Sequence, residues 1–582
     1  MSSLSVRGSR AGSAALAAFL AVGLLLLGLA VPGIASADTA PAPGTPTTVA
    51  ADRLGTVQVN GVVWAMVTVG NTVYATGSFT QARPAGAAAG TSETPRANLV
   101  AFSLASGVMT TFNHTLNGQG RTITASPDGT RIYVGGDFTT VDGVARGHIA
   151  AFDVATGALI TTFAPTSNAA VYSLAATNTT VYAGGNFTTA GGQTRTRLAA
   201  FTASNGAVTA WAPTANHTVR GIALSPDGTR VNLAGQFSQI NGGPAVAVAN
   251  VNLSGGDTRT WQLGITNSGD AGGVWNMKTD GVNIYVVAYG FLVGNIEGTI
   301  ALNPNSLELV WMNDCHGDPY DIFSTGTVVY TAGHVHDCET SGGYPDQRPT
   351  VWKRVIANTV AVTGQLKATT QVPRYTSWEG RPHPGLLTFY PTLTAGSFTG
   401  QAQAAWSATG NGSYLVLGGE FPTVNGAGQQ GLVRMATSNI APNDRGPELT
   451  AAQMRPNATS TTAGQIKVTW PSSWDMDNES LTYNLYRNSG TTPLYTVTTR
   501  SQWWNRPYQS WTDTSRAAGT TASYRVTVSD AFGNIVNSTQ GNTATVASTT
   551  DAYANRVLAD SPAQYWRLGE TTGTTAYDYA GT

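Results

Sequence analysis

The stretch SPDGTRIYVGGDFTTVDGVARGHIAAFDVATGALITTFAP, residues 126–165, is the fullest statement of a unit that recurs along the chain. Ser126-Pro127-Asp128-Gly129 reads as a turn, 131–135 as a strand and Asp142-Gly143 as a second turn. A strand over 148–153, a tight turn at Ala155-Thr156-Gly157 and a last strand over 158–163 complete a four-stranded meander. The same grammar returns over 180–213 and 225–262, and the phrases TGSFT, GGDFT, GGNFT and AGQFS place Phe79, Phe138, Phe187 and Phe237 at intervals of 59, 49 and 50 residues. A period near fifty belongs to radially repeated sheets rather than to a core with one unique centre.

Weaker copies follow around Tyr289 and His334, and again at YLVLGGEFPTVNG with Phe421, which brings the count to seven units between about residues 52 and 440. The expected fold is therefore all-β, a seven-bladed β-propeller with six or eight blades as alternatives, followed by a β-sandwich. The paired glycines fit strands packed so closely that a side chain would collide. Phe163, Trp211, Trp261 and Trp311 close their units as packing residues. GGDFT has neither the spacing nor the following helix of a nucleotide fingerprint.

At the N-terminus, Arg7 and Arg10 precede an apolar run and the small residues Ala35-Ser36-Ala37, which predicts a secretory signal peptide over 1–37 and a chain that is secreted or on the cell surface. A flexible lead-in is expected over 38–51, and no transmembrane anchor after signal cleavage. With 31 basic and 32 acidic residues, a formal charge of −1 gives no electrostatic bias toward nucleic acid. The spacing before Phe421 predicts an insertion near 369–399 that carries Tyr375, Trp378, Arg381 and His383 as candidate ligand-binding residues.

Cys315 and Cys338 are the only cysteines, and in an exported chain they predict one disulfide. The same windows hold His316, Asp318, His334, His336 and Asp337. His334 and His336 share a strand face, and His316 can be brought beside them by the disulfide, so His316, His334, His336 and Asp318 are candidate ligands for a transition metal. If such a centre is catalytic, Asp318 or Asp337 orients a ligand or serves as general base. The competing reading is a disulfide-stapled polar surface. Calcium in acidic turns such as Ser126–Gly129 is a further possibility, and no catalytic triad can be singled out.

Beyond Asn443-Asp444-Arg445-Gly446-Pro447 the period changes, and short alternating strands predict a sandwich over 441–548 with Trp470 in its core. Trp503 and Trp504, in SQWWNRPYQSW, are candidate ligand-stacking residues. A linker is expected over 549–559, and 560–582 is too short for a packed domain of its own.

The repeat phrase resembles the secreted β-propeller repeats of actinobacterial surface proteins over residues 52–440. Residues 447–548 are similar to a fibronectin type III domain through Trp470 and Tyr524. The terminal DSPAQYWRLGETTGTTAYDYAG resembles the opening of a laminin-G-like, concanavalin A-like jelly roll through Tyr565, Trp566, Arg567, Leu568, Gly569 and Glu570, which implies that the natural chain continues. These resemblances imply a secreted binding or adhesion protein that recognises an extracellular glycan or surface protein through propeller loops. The alternatives are a polysaccharide hydrolase or lyase acting at the propeller mouth, and a purely structural wall-associated protein.

Overall fold

Turn chemistry and strand alternation act together in the unit that opens the sequence. In the computed structural model, which describes residues 45–290, 293–372, 374–568 and 576–580, Asp128 folds its carboxylate back into its own turn. It accepts from Ser126 Oγ at 2.6 Å, Thr130 N at 3.0 Å and Thr130 Oγ1 at 2.8 Å. That bracket reverses the chain between the strands Gly120–Ala125 and Arg131–Gly136, and Ile149–Asp153 pairs on the far side of the latter. Val134 and Ile132 on one side and Tyr133 on the other are fully buried, so both faces of this central strand are covered by neighbouring sheets.

Seven such sheets follow one another. Their first strands are Val62–Val69, Gly120–Ala125, Val171–Ala176, Val219–Leu224, Gly272–Thr279, Pro319–Ser324 and Ala405–Gly410. Each first strand packs against the next, and Ala405–Gly410 packs against Val62–Val69. All the sheets are open antiparallel ladders of two to four strands, and none closes or curls. The expectation of a seven-bladed β-propeller is corrected on that finding to an all-β chain of many small open sheets. The physical reason is local: strands of two to eight residues cut off by turns ladder almost entirely within their own unit of about fifty residues, Lys353–Gln365 being the longest at thirteen.

The four-strand reading of each unit is also too generous for the first three. There the terminal segment makes only a single bridge, such as Phe152 to Leu159, while Phe163 turns inward onto Tyr133 with ring centres 5.2 Å apart. Of the seven sheets, those that begin at Val219, Gly272 and Pro319 have four full strands. The stretch expected as an insertion supplies the fourth strand of the last of these, Pro382–Leu387, paired with Lys353–Gln365. The lead-in is not loose in its described part, because Thr48–Asp52 are buried and Val49 N donates to Tyr330 Oη at 2.8 Å. Residues 1–37, expected as a signal peptide, lie outside the described residues.

A β-bulge interrupts every one of the seven first strands at the same place, and the residue at each bulge points at its neighbours' bulges. They are Trp64, Arg121, Tyr172, Arg220, Trp275, Tyr320 and Trp406. Arg121 lies over Trp64 at 5.5 Å and over Tyr172 at 5.7 Å, and Arg220 over Tyr172 at 5.3 Å and Trp275 at 4.3 Å. Ring centres are 5.3 Å apart for Trp275 and Tyr320, 4.2 Å for Tyr320 and Trp406, and 5.0 Å for Trp406 and Trp64. Every neighbouring pair in the series is therefore in contact. Beneath them runs a channel of about 370 Å³ lined by all seven first strands.

Downstream, a three-stranded sheet (Asn457–Thr459, Ile466–Pro471, Tyr508–Asp513) and a four-stranded sheet (Tyr495–Arg500, Ser480–Arg487, Tyr524–Ser529, Ile535–Asn537) share a core containing Trp470, Tyr483 and Tyr524. Trp503 and Trp504 leave this sandwich to pack on Tyr344 and Tyr390, with the Lys353 ammonium 4.1 Å from the Trp503 ring centre. Both tryptophans are thus half-buried between the sandwich and the sheet from Pro319. The one α-helix among the described residues, Ala552–Ala559, falls where a linker was expected.

The paired glycines behave as the sequence implied. A Cβ on Gly185 would meet the Ala170 carbonyl oxygen, and one on Gly184 would lie 2.6 Å from Val219 Cγ1 of the next sheet. Gly185→Ala is expected to lower unfolding free energy by about 1–3 kcal/mol. Gly412→Ala, where a Cβ has open space, stays within about 0.5 kcal/mol of the parent. Urea denaturation of the two variants checks the difference.

Candidate functional site

The disulfide is present: Cys315 and Cys338 are bonded, with Cα atoms 4.2 Å apart, and both are buried. It ties together two irregular segments that are also joined by the bridge between His316 and Asp337 and by Thr340 Oγ1, which donates to Asp314 O at 3.2 Å. Gly317 permits their close approach, since its φ is 109° and a Cβ there would strike the His334 carbonyl. The consequence is a fully buried His316 ring set between two acids. Its Nδ1 lies 3.1 Å from Asp337 Oδ2, and its Nε2 is 3.6 Å from Asp314 Oδ2, outside hydrogen-bond reach.

Burial works against charge on His316, but the two carboxylates outweigh it and raise its pKa to about 9. The ring is therefore an imidazolium near neutral pH. Tyr375 lies flat on its face, with ring centres 3.5 Å apart and planes 7° from parallel. Asp337 is held further by Glu339 N at 3.0 Å and by the Gln371 amide. Burial opposes the charge of Asp337 too, and its hydrogen bonds with His316 and Glu339 more than offset that, holding it below the usual carboxylate range.

The other two histidines go elsewhere and take the opposite charge state. His334 Nδ1 lies 3.0 Å from Gln403 Oε1, and its Nε2 accepts from the Asp318 backbone N–H at 3.4 Å. Burial, reinforced by the Arg354 guanidinium, lowers its pKa to about 4. His336 sits 3.3 Å from Asp346 Oδ1 and is also lowered, by burial first. Both rings abut Trp352, at 5.0 and 4.8 Å. Asp318 lies 4.0 Å from His334, and burial raises its pKa.

Among the described residues no three His, Cys, Asp or Glu side chains are grouped to hold a metal ion. The expected set of His316, His334, His336 and Asp318 does not converge, because His316 is committed to Asp337 and Tyr375 while His334 turns to Gln403. The Ser126–Gly129 turn uses its carboxylate internally, as described above. Of the other expected ligand residues, Trp378 is buried and donates to Asn295 O at 3.0 Å, His383 turns onto Pro384 O at 2.7 Å, and Arg381 is exposed.

A cavity of about 350 Å³ opens beside Tyr375, and most of its polar lining was not singled out from sequence. Glu297, Asp314, Asn295, Arg374 and Tyr375 line it, with the backbone of Gly290 and Gly294. Glu297 accepts from Gly317 N at 2.9 Å, and burial raises its pKa. Burial also pushes the Tyr375 hydroxyl up to about 12, so it stays protonated. Arg374 is exposed at the cavity edge, its guanidinium 4.9 Å from the Tyr375 ring centre. Among the described residues no carboxylate lies within ion-pair distance of Arg374. Asp314 had a sequence signal, adjacency to Cys315; Glu297 and Arg374 had none.

No protein-family model matches the chain, and no curated protein matches it. A crystal structure of a mitotic checkpoint complex aligns at 12% identity and a TM-score of 0.37, covering 68% of this chain and 97% of that one, a likeness too distant to carry an argument. The expected kinship with secreted propeller-repeat proteins, fibronectin type III domains and laminin-G-like domains is therefore corrected: no match carries it. Gly569 and Glu570, on which part of the last resemblance rested, lie outside the described residues. The expected adhesion function through propeller loops, its glycan or surface-protein partner, and the hydrolase or lyase alternative go with it, because the propeller that was to supply their site is not found. Among the described residues no helix is long and apolar enough to cross a membrane.

The opposite shifts of His316 and His334 give stability a two-sided pH dependence. The unfolded chain releases the His316 proton near pH 6.5, so the stability it contributes is complete below that and lost as pH rises through about 9. His334 is neutral in the fold, and stability falls as pH drops from about 6.5 through about 4. Chemical denaturation across pH 4–9.5 is expected to show both limbs, with His316→Gln flattening the alkaline one and His334→Gln the acid one.

Proposed function

We propose that the chain is an exported protein that captures a small zwitterion in the cavity beside Tyr375. The observation that carries this reading is the placement of unlike charges on one cavity: the Glu297 and Asp314 carboxyls line it and the Arg374 guanidinium stands at its edge without a carboxylate partner. A ligand ammonium satisfies the acids, and a ligand carboxylate completes Arg374, which holds carboxylates in a two-pronged grip. The volume suits a free amino acid or similarly small molecule and is too small for a folded segment. Ile296 and Val293 supply an apolar wall for the ligand's carbon skeleton.

Binding of an ammonium group favours the ionised form of Glu297, whose charge burial otherwise disfavours. His316 plays a positioning part: its stack with Tyr375 fixes the wall of the cavity, while Asp337 and Asp314 fix His316. Export is supported by the Cys315–Cys338 disulfide, since such bonds persist in oxidising compartments.

Isothermal titration calorimetry with a panel of free α-amino acids, matched amines and matched carboxylic acids tests the reading. At least one zwitterion is expected to bind more tightly than either of its single-charge analogues. Glu297→Gln and Arg374→Gln should each weaken binding by about tenfold or more, as expected for one lost charge-assisted contact. Equal heats for zwitterions and single-charge analogues, or variants that bind as the parent does, would contradict it.

A further inference from the structure

The ring of bulge residues contains two arginines, and their surroundings differ. Arg121 is neutralised: its Nε and Nη2 donate to Asp137 Oδ2 at 3.1 and 3.0 Å. Arg220 is not. Among the described residues no carboxylate lies within ion-pair distance of it, and its Nε is buried without a hydrogen-bond partner. Asp270, whose charge acts on Arg220 without an ion pair, is exposed and lies 3.5 Å from His217.

A guanidinium cannot shed its charge to escape burial as a histidine can. Its two aromatic neighbours, Trp275 and Tyr172, contribute cation–π attraction to its faces but leave its in-plane donors unanswered. Arg220 borders a cavity of about 70 Å³, walled also by Trp64, Tyr172, Trp275 and Arg121. The cavity shares Ala65, Thr122 and Asn276 with the channel below, so the two spaces adjoin. A guanidinium without a carboxylate partner, at the edge of a cavity framed by aromatic rings, is a group prepared for an acceptor.

We propose that this cavity is a second binding site, selective for a single oxyanion group held between Arg220 and Arg121. The volume admits one carboxylate, sulfate or phosphate group and nothing larger, while the channel leaves room for a ligand body attached to it. The charge of Arg220, which no carboxylate pairs, rejects cations, and chloride cannot use the planar fork of the guanidinium as an oxyanion does. The site is separate from the cavity beside Tyr375 and stands or falls without it.

The test is a calorimetric titration of the intact chain with sulfate, phosphate or acetate at fixed ionic strength, with chloride as the reference ion and tryptophan fluorescence followed in parallel. Saturable binding of at least one oxyanion is expected, with a fluorescence change from Trp275 that chloride does not produce. Preference for sulfate or phosphate identifies a free tetrahedral anion as the occupant, and preference for acetate identifies the carboxylate end of a larger ligand. Arg220→Gln should weaken binding about tenfold or more with its near-UV circular dichroism unchanged. If that variant fails to fold, Arg220→Lys decides: it keeps the charge but loses the fork, so weaker binding supports the site and parent-like binding overturns it. Absence of saturable binding by every oxyanion, or full binding by folded Arg220→Gln, also overturns it.

Discussion

The β-bulge at the head of each first strand is the constraint on which the rest of this molecule depends. An extra residue at that point turns one side chain out of the alternating pattern and toward the neighbouring sheet. Repeated seven times, it produces an uninterrupted series of aromatic and guanidinium contacts from Trp64 to Trp406 and back. Sheets that share no ladder hydrogen bonds are thereby held in fixed relation. Asp321 adds a polar tie below the series: its carboxylate accepts from Asn276 Nδ2 at 2.7 Å, Lys278 Nζ at 2.7 Å and Ala408 N at 2.8 Å, joining three successive sheets. The segment ahead of the first sheet joins the last one through Leu54 N, which donates to Arg434 O at 2.8 Å.

The candidate site owes its chemistry to a departure from this repetition. Where the earlier units have a regular turn, the segments around Cys315 and Cys338 are stapled and dense with polar groups. The staple holds a charged histidine and two neutral ones within a short distance, His316 and His336 having ring centres 6.4 Å apart. What separates their states is the partner rather than the depth: His316 has two carboxylates, whereas His334 has an amide and a nearby guanidinium. The cavity beside Tyr375 inherits its acidic wall from the same arrangement, and its basic edge comes from the neighbouring residue, Arg374.

Much of the local structure was legible in the chain. SPDG predicts the turn that Asp128 closes, the glycine pairs predict close approach, and the two cysteines predict their bond. The order of the sheets in space was not legible from the same signals, because turn and strand propensities act within a unit and say little about how units meet. The bulge residues carried a faint trace: Trp64, Tyr172 and Trp406 stand 15 residues ahead of Phe79, Phe187 and Phe421, and Arg121 and Arg220 stand 17 ahead of Phe138 and Phe237. Period-two alternation hides them, since a bulge shifts the register by one residue. The histidines misled for a related reason. Strand alternation puts His334 and His336 in similar positions, but only tertiary partners such as Gln403 and Asp346 decide where each ring points.

The Trp64–Trp406 contact joins the first of the seven sheets to the last. A double-mutant cycle with Trp64→Ala, Trp406→Ala and the double variant, read by urea unfolding, measures whether the two rings interact. An edge-to-face pair at 5.0 Å predicts a coupling of about 0.5–1.5 kcal/mol. Strictly additive losses would show that the rings do not meet, and the continuous series of bulge contacts would be broken at the junction between the chain's beginning and its seventh sheet.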